Sequence, residues 1–243
     1  MPRPARKSPL TVPRLKTWAV GTRIFVLDEV DSTNNYALRL GGEGTVIVAN
    51  RQTGGRGRHG RNWHSAADLG LWFSVAIEGL LPGIAFAAPL SVRDALRRRV
   101  EAELKWPNDV LIDGRKVCGI LVEHRNGVTA LGIGINVHHR PEDFPEHLRE
   151  SATSLEAATG LSFTRTQVLK DVLTDLDAKV KVLREGGYEQ IRKAWADACH
   201  VLGRQISCGD TFGIVDDIDT HGALIVTTPN GSQRIVSGEI EPA

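Results

Sequence analysis

The sequence has few of the residues that build covalent or metal-based sites. It contains three cysteines, Cys118, Cys199 and Cys208, which are widely spaced and never arranged as CxxC. An odd number at this spacing argues against a disulfide framework or a thiolate zinc site, and it is typical of the reducing cytoplasm. The eight histidines form no HExxH motif, and the adjacent pair His138 and His139 lies in a polar stretch that predicts a surface turn rather than a metal site.

Long apolar runs are also missing. No run reaches the roughly 18 residues that a membrane helix needs, and the basic start has no apolar core of the kind found in a secretory signal. With 41% hydrophobic and 24% charged residues, wholesale disorder is excluded. A chain of 243 residues can form one large domain with a small companion.

An excess of one charge is confined to the start of the chain. Six of the first 23 residues are basic and none is acidic, whereas the other 220 residues hold 24 basic against 29 acidic residues. We therefore expect residues 1–22 to be a solvated, poorly ordered tail. The acidic balance of the remainder argues against a general polyanion-binding body.

Hydrophobic periodicity predicts alternating strands and helices up to about residue 198. Strands are predicted at 23–30, 45–50, 70–78, 102–113 (as a broken pair), 116–124 and 129–137. Helices are predicted at 31–40, in the second half of 83–101, after Thr164, and at 187–199. From about Val201, short β runs separated by Gly, Asp and Asn-Gly indicate a small barrel.

A glycine- and arginine-rich loop follows the strand at 45–50. Its segment GRGRHG (55–60) formally matches the G-x-G-x-x-G pattern of dinucleotide-binding folds. That pattern requires a helix directly after the glycines, but only nine residues without helical periodicity separate Gly60 from the next β run at Gly70. We therefore do not expect a nicotinamide or flavin site. Backbone N–H groups and arginine forks predict instead a loop that orders around an anionic ligand.

The second candidate is the sequence KWPND at 105–109. In an extended chain Lys105 and Asp109 lie on the same face, and a hairpin turn after residue 112 returns Lys116 to the corner. Two lysines, the Asn108 amide and a carboxylate beside a phosphate-binding loop suit nucleotidyl transfer. An ordinary charged hairpin would have the same pattern.

The third candidate is DSTN at 31–34. It is an ordinary helix start, in which Ser32 or Thr33 would be the cap. Ser, Thr and Asn side chains at a helix N-terminus can also bind a small polar head group.

Together these segments resemble the biotin protein ligases, also called biotin–[acetyl-CoA-carboxylase] ligases, over about residues 28–240. The matching stretches are DSTN (31–34), Gln52 with GRGRHG (55–60), Trp63, KWPND (105–109), RKVCGILVE (115–123) and GIGINV (132–137). The resemblance implies an α+β fold, with a mixed β-sheet and flanking helices of the class II aminoacyl-tRNA synthetase and biotin ligase type at 23–198. A small C-terminal SH3-like β-barrel would follow at 199–243.

The resemblance also implies a reaction in two steps. Biotin and ATP would give biotinyl-5′-AMP and pyrophosphate, and the activated biotin would pass to one lysine of a biotin carboxyl carrier protein. ATP, Mg²⁺ and biotin would be substrates or activators, with no permanently bound cofactor and no tightly bound metal. We expect a cytoplasmic monomer or weak homodimer that binds no membrane.

The site residues that the resemblance implies form three overlapping groups. The expected catalytic residues are Lys116, Arg58, Asp109 and Lys105. The residues expected to bind biotin are Ser32, Thr33, Asn34, Gln52, Arg56, Gly57, Arg58, Lys116 and Gly119. The residues expected to bind ATP or the adenylate are Arg56, Arg58, Trp63, Lys105, Asn108, Lys116 and Asn136.

Two features depart from the pattern of some relatives. A winged helix that represses transcription needs about 60 residues, and only about 20 precede the pattern here, so we expect a monofunctional ligase without operator binding. In the loop, His59 stands where some relatives have arginine, which is expected to loosen adenylate retention slightly.

Two other functions fit part of the sequence. A lipoate or octanoate–protein ligase has the same catalytic fold, but KWPND and the predicted barrel favour biotin. A nucleic-acid-binding protein could use the basic tail, but Arg204 and Arg234 are the only basic residues of 201–243 and acidic residues outnumber them.

Overall fold

The computed structural model describes residues 10–242, which form two β-sheets and five α-helices. The strands are β1 (Arg23–Val30), β2 (Thr45–Gln52), β3 (Gly70–Glu78), β4 (Glu103–Lys105), β5 (Asp109–Ile112), β6 (Arg115–Arg125), β7 (Val128–Asn136), β8 (Gln205–Cys208), β9 (Thr211–Ile218), β10 (Leu224–Thr228), β11 (Gly231–Ile235) and β12 (Glu241–Pro242). The helices are α1 (Thr33–Leu40), α2 (Ile84–Leu96), α3 (Leu155–Thr159), α4 (Arg165–Arg184) and α5 (Tyr188–Asp197). No helix in this part of the chain is both long and apolar enough to cross a membrane.

The first sheet has seven strands in the order β1-β2-β3-β7-β6-β5-β4. Strands β1 and β2 are parallel, and the other neighbours are antiparallel. The prediction of a mixed sheet with flanking helices is therefore confirmed.

The two faces of this sheet carry different side chains because strand residues alternate. On β3, Phe73 and Val75 belong to the main core with α2, α4 and α5, whereas Ser74 lies between them on the opposite face. Gly132 of β7 is the direct partner of Ser74, so it and Gly134 share that opposite face. Helix α1 packs there over β2, β3 and β7. Small residues on this face let the side chains of Asn34 and Trp63 lie close to the sheet. We call the row of side chains from Asn34 to Lys116 on this face the trough, and the candidate site lies along it.

The second sheet is antiparallel, in the order β11-β10-β9-β8-β12, with β11 and β12 at its edges. Its buried residues Ile206, Val215 and Leu224 join the core of the first sheet. The Trp106 indole N–H donates a hydrogen bond to the Gly222 carbonyl at 2.8 Å. The KWPND corner therefore contacts the C-terminal β unit, and the predicted short β runs of that unit are confirmed as an antiparallel sheet.

Helix α2 differs from the prediction that only the second half of 83–101 is helical. It begins at Ile84, contains Pro89, and ends at Leu96, while 97–99 form a turn. Residues on both sides of Pro89 are buried in the core. This packing outweighs the local preference of proline to end a helix.

The basic N-terminal segment is held to the domain at residues 18–20. The backbone N–H groups of Trp18, Ala19 and Val20 donate hydrogen bonds of 2.7–2.8 Å to the Asp177 carboxylate of α4. The expectation of a solvated, poorly ordered tail is wrong for these residues, because a distant carboxylate binds their backbone. Residues 1–9 of the predicted tail lie outside the described residues.

Candidate active site

The DSTN segment forms one end of the trough. Ser32 is the N-cap residue of α1 without a side-chain cap bond, and Ser32, Thr33 and Asn34 are all buried. Thr33 donates from its backbone N–H and its hydroxyl to Gln52 Oε1, at 2.9 and 3.0 Å. Ser74 Oγ lies 2.6 Å from Asn34 Oδ1 and 2.7 Å from Thr33 Oγ1. These residues form one connected, uncharged polar cluster, which we call the head pocket.

The glycine-rich loop closes on itself beside the head pocket. The Trp63 N–H donates to the Gly55 carbonyl at 2.9 Å, and the Gly57 N–H donates to the Arg61 carbonyl at 2.7 Å. Its only helical element is one 3₁₀ turn at Arg58–Gly60. No α-helix follows the glycines in this described segment, as the sequence predicted.

The four loop arginines do not all point into the site. Arg51 pairs with Glu29 at 3.0 Å, and Arg61 pairs with Glu239 of the C-terminal unit; both pairs are exposed. Arg56 instead reaches the end of β6 next to the head pocket. Arginine content alone therefore overstated the charge that the loop directs at one ligand.

The KWPND corner forms the other end of the trough. Lys116 Nζ lies 2.7 Å from Asp109 Oδ1, and Lys105 is the strand partner of Asp109 on the same face. A bulge at Val117 places Lys116 opposite Leu111, which turns the lysine toward the site. Lys116 therefore contacts Asp109 as the sequence predicted, and Lys105 lies opposite Asp109 on the neighbouring strand.

Arg58 is electrostatically linked to the same corner. Burial lowers the pKa of its guanidinium below the usual range, while the negative charge of Asp109 opposes that shift. The guanidinium stays charged, because an arginine pKa begins far above neutral pH. Lys116 and Arg58 thus make a cationic end beside the Asp109 carboxylate, with Lys105 on the adjacent strand.

Trp63 lies between the two ends on a platform of two glycines. Gly119 of β6 and Gly134 of β7 are direct strand partners. A Cβ at Gly119 would lie 2.8 Å from the Trp63 ring, and a Cβ at Gly134 would lie 2.5 Å from Trp63 Nε1. Lys116 Nζ is 5.2 Å from the ring centroid. Glycine is therefore required at both positions for the indole to approach the sheet.

Two predicted ligand residues hold backbone instead. The Asn108 amide donates to the Ile120 carbonyl at 2.5 Å, and the Asn136 amide donates to the Thr153 carbonyl at 3.0 Å. These bonds fasten the KWPND corner to β6 and the end of β7 to the segment at 151–154. In the structure both side chains support the walls of the site.

The sequence predictions missed two residues of the trough and misplaced Arg56. The only sequence sign of Ser74 is that it is a polar residue inside the apolar run GLWFSVAIE. Glu123 is the last residue of the segment RKVCGILVE, and in the structure it contacts Arg56 and Asn34. The predicted convergence of Arg56 with Lys116 is also not seen, because Arg56 contacts Glu123 near the end of β6, whereas Lys116 lies near its start.

The adjacent histidines are not in a surface turn. His139 is buried and stacks on Phe144 with ring centroids 4.7 Å apart, and His138 Nδ1 lies 3.2 Å from Glu156 Oε1. Aromatic packing behind Trp72 draws this polar stretch inward. Among residues 10–242, no group of three or more His, Cys, Asp or Glu side chains is arranged to hold a metal ion.

Buried Arg165 clamps the base of the glycine-rich loop. It donates to Asn50 Oδ1 at 2.6 Å and pairs with Asp68 at 3.2 Å, and the Asp68 N–H also bonds Asn50 Oδ1. Asn50 precedes the loop and Asp68 ends it. One side chain of α4 thus ties both arms of the loop together.

Replacing Arg165 with alanine is expected to lower the free energy of unfolding by about 3 kcal/mol, because it leaves Asn50 and Asp68 without a central buried donor. Urea titration measures the change. Lys181→Ala on the same helix is the control, since its exposed pair with Glu185 is 3.9 Å long and such pairs contribute about 0–1 kcal/mol. A loss for Arg165→Ala no larger than that of the control would contradict the clamp.

Two family profiles match the chain. The profile of the Biotin/lipoate A/B protein ligase family matches residues 26–139, and the profile of the Biotin protein ligase C terminal domain matches residues 201–241. Both regions coincide with the sheets described above.

Curated relatives align over most of the chain. The "Biotin--[acetyl-CoA-carboxylase] ligase" of Paracoccus denitrificans is 34% identical, over 88% of this chain and 98% of the relative. The "Bifunctional ligase/repressor BirA" of Bacillus subtilis is 32% identical, over 93% of this chain and 76% of the relative. The solved structure "Biotin protein ligase from Aquifex aeolicus in complex with biotin and ATP" superposes with a TM-score of 0.81 at 33% identity, covering 90% of this chain and 98% of that one.

Proposed function

The chain belongs to the Biotin/lipoate A/B protein ligase family, and from this premise we propose that it attaches biotin to a lysine of a carrier protein with ATP. In the first step the biotin carboxylate attacks the α-phosphorus of ATP, a P–O bond forms, and pyrophosphate leaves. In the second step the ε-amine of the carrier lysine attacks the acyl carbon, an amide forms, and AMP leaves. The lysine ammonium gives up two protons in the transfer, and the amide nitrogen keeps one.

The observation that carries this proposal is the head pocket. It offers uncharged donors and acceptors from Thr33, Asn34, Gln52 and Ser74, most of them buried. A cyclic urea, with two N–H donors and one carbonyl acceptor, can pair with such groups. The dithiolane ring of lipoate has no N–H or carbonyl group with which to pair. The pocket therefore favours biotin over lipoate.

The cationic end suits the phosphate chemistry. Lys116 and Arg58 would face the acyl phosphate, Lys105 would extend the positive field, and Trp63 would pack against the adenine. A carboxylate is a weak nucleophile, so catalysis rests on positioning and on neutralising charge at phosphorus. Gly57 would allow close approach of the ligand to the loop backbone, and Gly119 lets Trp63 and Lys116 lie against the sheet. When Mg²⁺ enters with the ATP phosphates it supplies further charge neutralisation, and Asp109 is the carboxylate placed to face it.

We further propose that Asp109 accepts a proton from the carrier lysine, since it is the carboxylate that the structure places at the cationic end. Asp109→Asn is expected to slow transfer from supplied biotinyl-AMP by about 100-fold at neutral pH. Raising the pH should recover part of this loss, because a lysine amine with a pKa near 10 then deprotonates in solvent. Single-turnover transfer measured against pH tests this.

The control for that experiment is Asp113→Asn in the neighbouring turn. Asp113 has φ 50°, a conformation that asparagine also adopts, so the turn should survive. The proton role is wrong if Asp109→Asn transfers biotin as fast as the Asp113 variant.

The experiment for the overall proposal compares biotin and lipoate as substrates in separate incubations. The protein is incubated with ATP, Mg²⁺, a biotin carboxyl carrier domain and either biotin or lipoate, and the carrier is weighed by intact mass spectrometry. We expect one biotin per carrier and no lipoate. Lipoylation without biotinylation would assign the chain to the other branch of the family.

Three further expectations remain predictions. The reduced cysteines Cys118, Cys199 and Cys208 support a cytoplasmic location. A monomer or weak homodimer would be seen by sedimentation. The excess of acidic residues after the first 23 residues supports a ligase without specific DNA binding, which a salt-resistant, sequence-specific mobility shift would overturn.

A further inference from the structure

Glu123 lies on the site face at the head-pocket end of β6. Gly119, Leu121 and Glu123 alternate along the strand onto this face. Gly119 lies beneath Trp63, and the Leu121 carbonyl accepts a hydrogen bond from Asn34 Nδ2 at 3.3 Å. Glu123 is half-buried and continues this row. A carboxylate therefore stands where the trough otherwise offers neutral groups.

This carboxylate joins the sheet to both elements that form the head pocket. Glu123 Oε2 accepts from Asn34 Nδ2 at 2.7 Å, and Arg56 Nη2 lies 3.3 Å from both carboxylate oxygens. Arg56 Nη2 also donates to Asn35 Oδ1 at 2.8 Å. Asn34 and Asn35 belong to α1, whereas Arg56 belongs to the glycine-rich loop.

The bond to Glu123 also fixes which way the Asn34 amide points. Its nitrogen is committed to Glu123 and to the Leu121 carbonyl, while its oxygen is held by Ser74 Oγ at 2.6 Å. A flipped amide would place its oxygen against two acceptors. The orientation of Asn34 therefore depends on Glu123.

Resting on the function proposed above, we propose that Glu123 is a positioning residue that anchors the glycine-rich loop over the head pocket through Arg56. It does not react with the substrate. Its charge holds the Arg56 guanidinium at the sheet, which keeps the loop closed, and its oxygen sets the Asn34 amide. Charge-assisted hydrogen bonds of this kind contribute more than neutral ones, so neutralising Glu123 should loosen the loop.

The Glu123→Gln variant separates the two contacts. Its carbonyl oxygen can still accept from Asn34, but it no longer pairs with the Arg56 charge. Without any substrate, trypsin should cleave the loop after Arg58 and Arg61 roughly tenfold faster than in the wild type. With substrates, the KM for biotin and the release rate of biotinyl-AMP should each rise roughly tenfold. The KM for ATP and transfer from saturating supplied adenylate should stay within about twofold, which a general loss of structure would not allow.

Two further variants complete the test. Glu29→Gln breaks the exposed Arg51–Glu29 pair at the start of the same loop, away from Glu123, and should change none of these values. In an Arg56→Ala background, adding Glu123→Gln should not speed loop cleavage further, because the two residues act as one unit.

Unchanged loop cleavage in Glu123→Gln, or effects that add fully to those of Arg56→Ala, would overturn the proposal. Because cleavage is measured without substrates, this outcome is independent of the ligase function. A wild-type protein that forms no biotinyl-AMP would reject the proposed function and leave the loop-cleavage result to decide the role of Glu123.

Discussion

Replacing Lys116 with alanine is expected to lower the biotin-dependent ATP–pyrophosphate exchange rate by about 10³-fold. Lys116 Nζ is 2.7 Å from Asp109 and 5.2 Å from the Trp63 ring centroid, so it lies between the carboxylate of the corner and the proposed adenine wall. Removing it takes away positive charge where negative charge develops on the phosphate. It also leaves Asp109 without its ion-pair partner, and that carboxylate would then repel the triphosphate.

The control variant is Lys193→Ala. Lys193 forms an exposed pair with Asp197 at 3.1 Å, so its loss removes the same charge from the chain at a distance from the trough. It should leave exchange within about twofold and the unfolding free energy within about 0.5 kcal/mol. Exchange by Lys116→Ala at more than a tenth of the wild-type rate, with the fold intact, would remove Lys116 from the proposed mechanism.

The second large effect is expected from Gly134→Ala. The added Cβ would lie 2.5 Å from Trp63 Nε1 and 2.6 Å from Trp63 Cε2, closer than real Cβ contacts. Trp63 must then leave the glycine platform, because the β7 backbone is fixed by pairing with Gly119 on one side and Trp72 on the other. We expect the KM for ATP to rise by about 100-fold, since displacing a binding wall by about 1 Å can cost that much.

Gly54→Ala adds the same methyl group at the edge of the loop, where the nearest atom, the Asp31 carbonyl oxygen, is 3.4 Å away. It should leave the KM for ATP nearly unchanged. Trp63 fluorescence cannot be isolated among five tryptophans, so KM values and a crystal structure of the variant are the measurements. A Gly134→Ala protein with a wild-type KM for ATP and an unmoved indole would contradict the platform.

Periodicity predicted most elements of the fold because the strands alternate cleanly. Phe73, Val75 and Ile77 face the core, and β6 and β7 meet at the Asn126-Gly127 turn, where both residues have positive φ. Helix α2 was only half predicted because its first half contains Pro89, whose local preference against helix is outweighed by tertiary packing. The hydrogen bonds from residues 18–20 to Asp177 could not be predicted from local patterns, because they join segments far apart in the sequence.

Most residues of the site were predicted from the sequence, but the way they are arranged was predicted less well. The three motifs brought Lys105, Asp109 and Lys116 together as expected, since a hairpin fixes their spacing. The bulge at Val117, which turns Lys116 toward the site, breaks the alternation that sequence reasoning relies on. Arg56 was assigned to the phosphate because its partner, Glu123, lies far along the chain on β6, and the sequence gives no sign that the two residues meet.

The most direct test of the account is isotopic ATP–pyrophosphate exchange by the wild-type protein with biotin, with lipoate, and with no added acid. The head pocket and the Lys116 corner together predict rapid exchange with biotin alone, because an acyl adenylate forms only when the head group fits and the phosphate is neutralised. Exchange that is equally fast with lipoate, or that is absent with biotin, would contradict the proposal that this trough activates biotin.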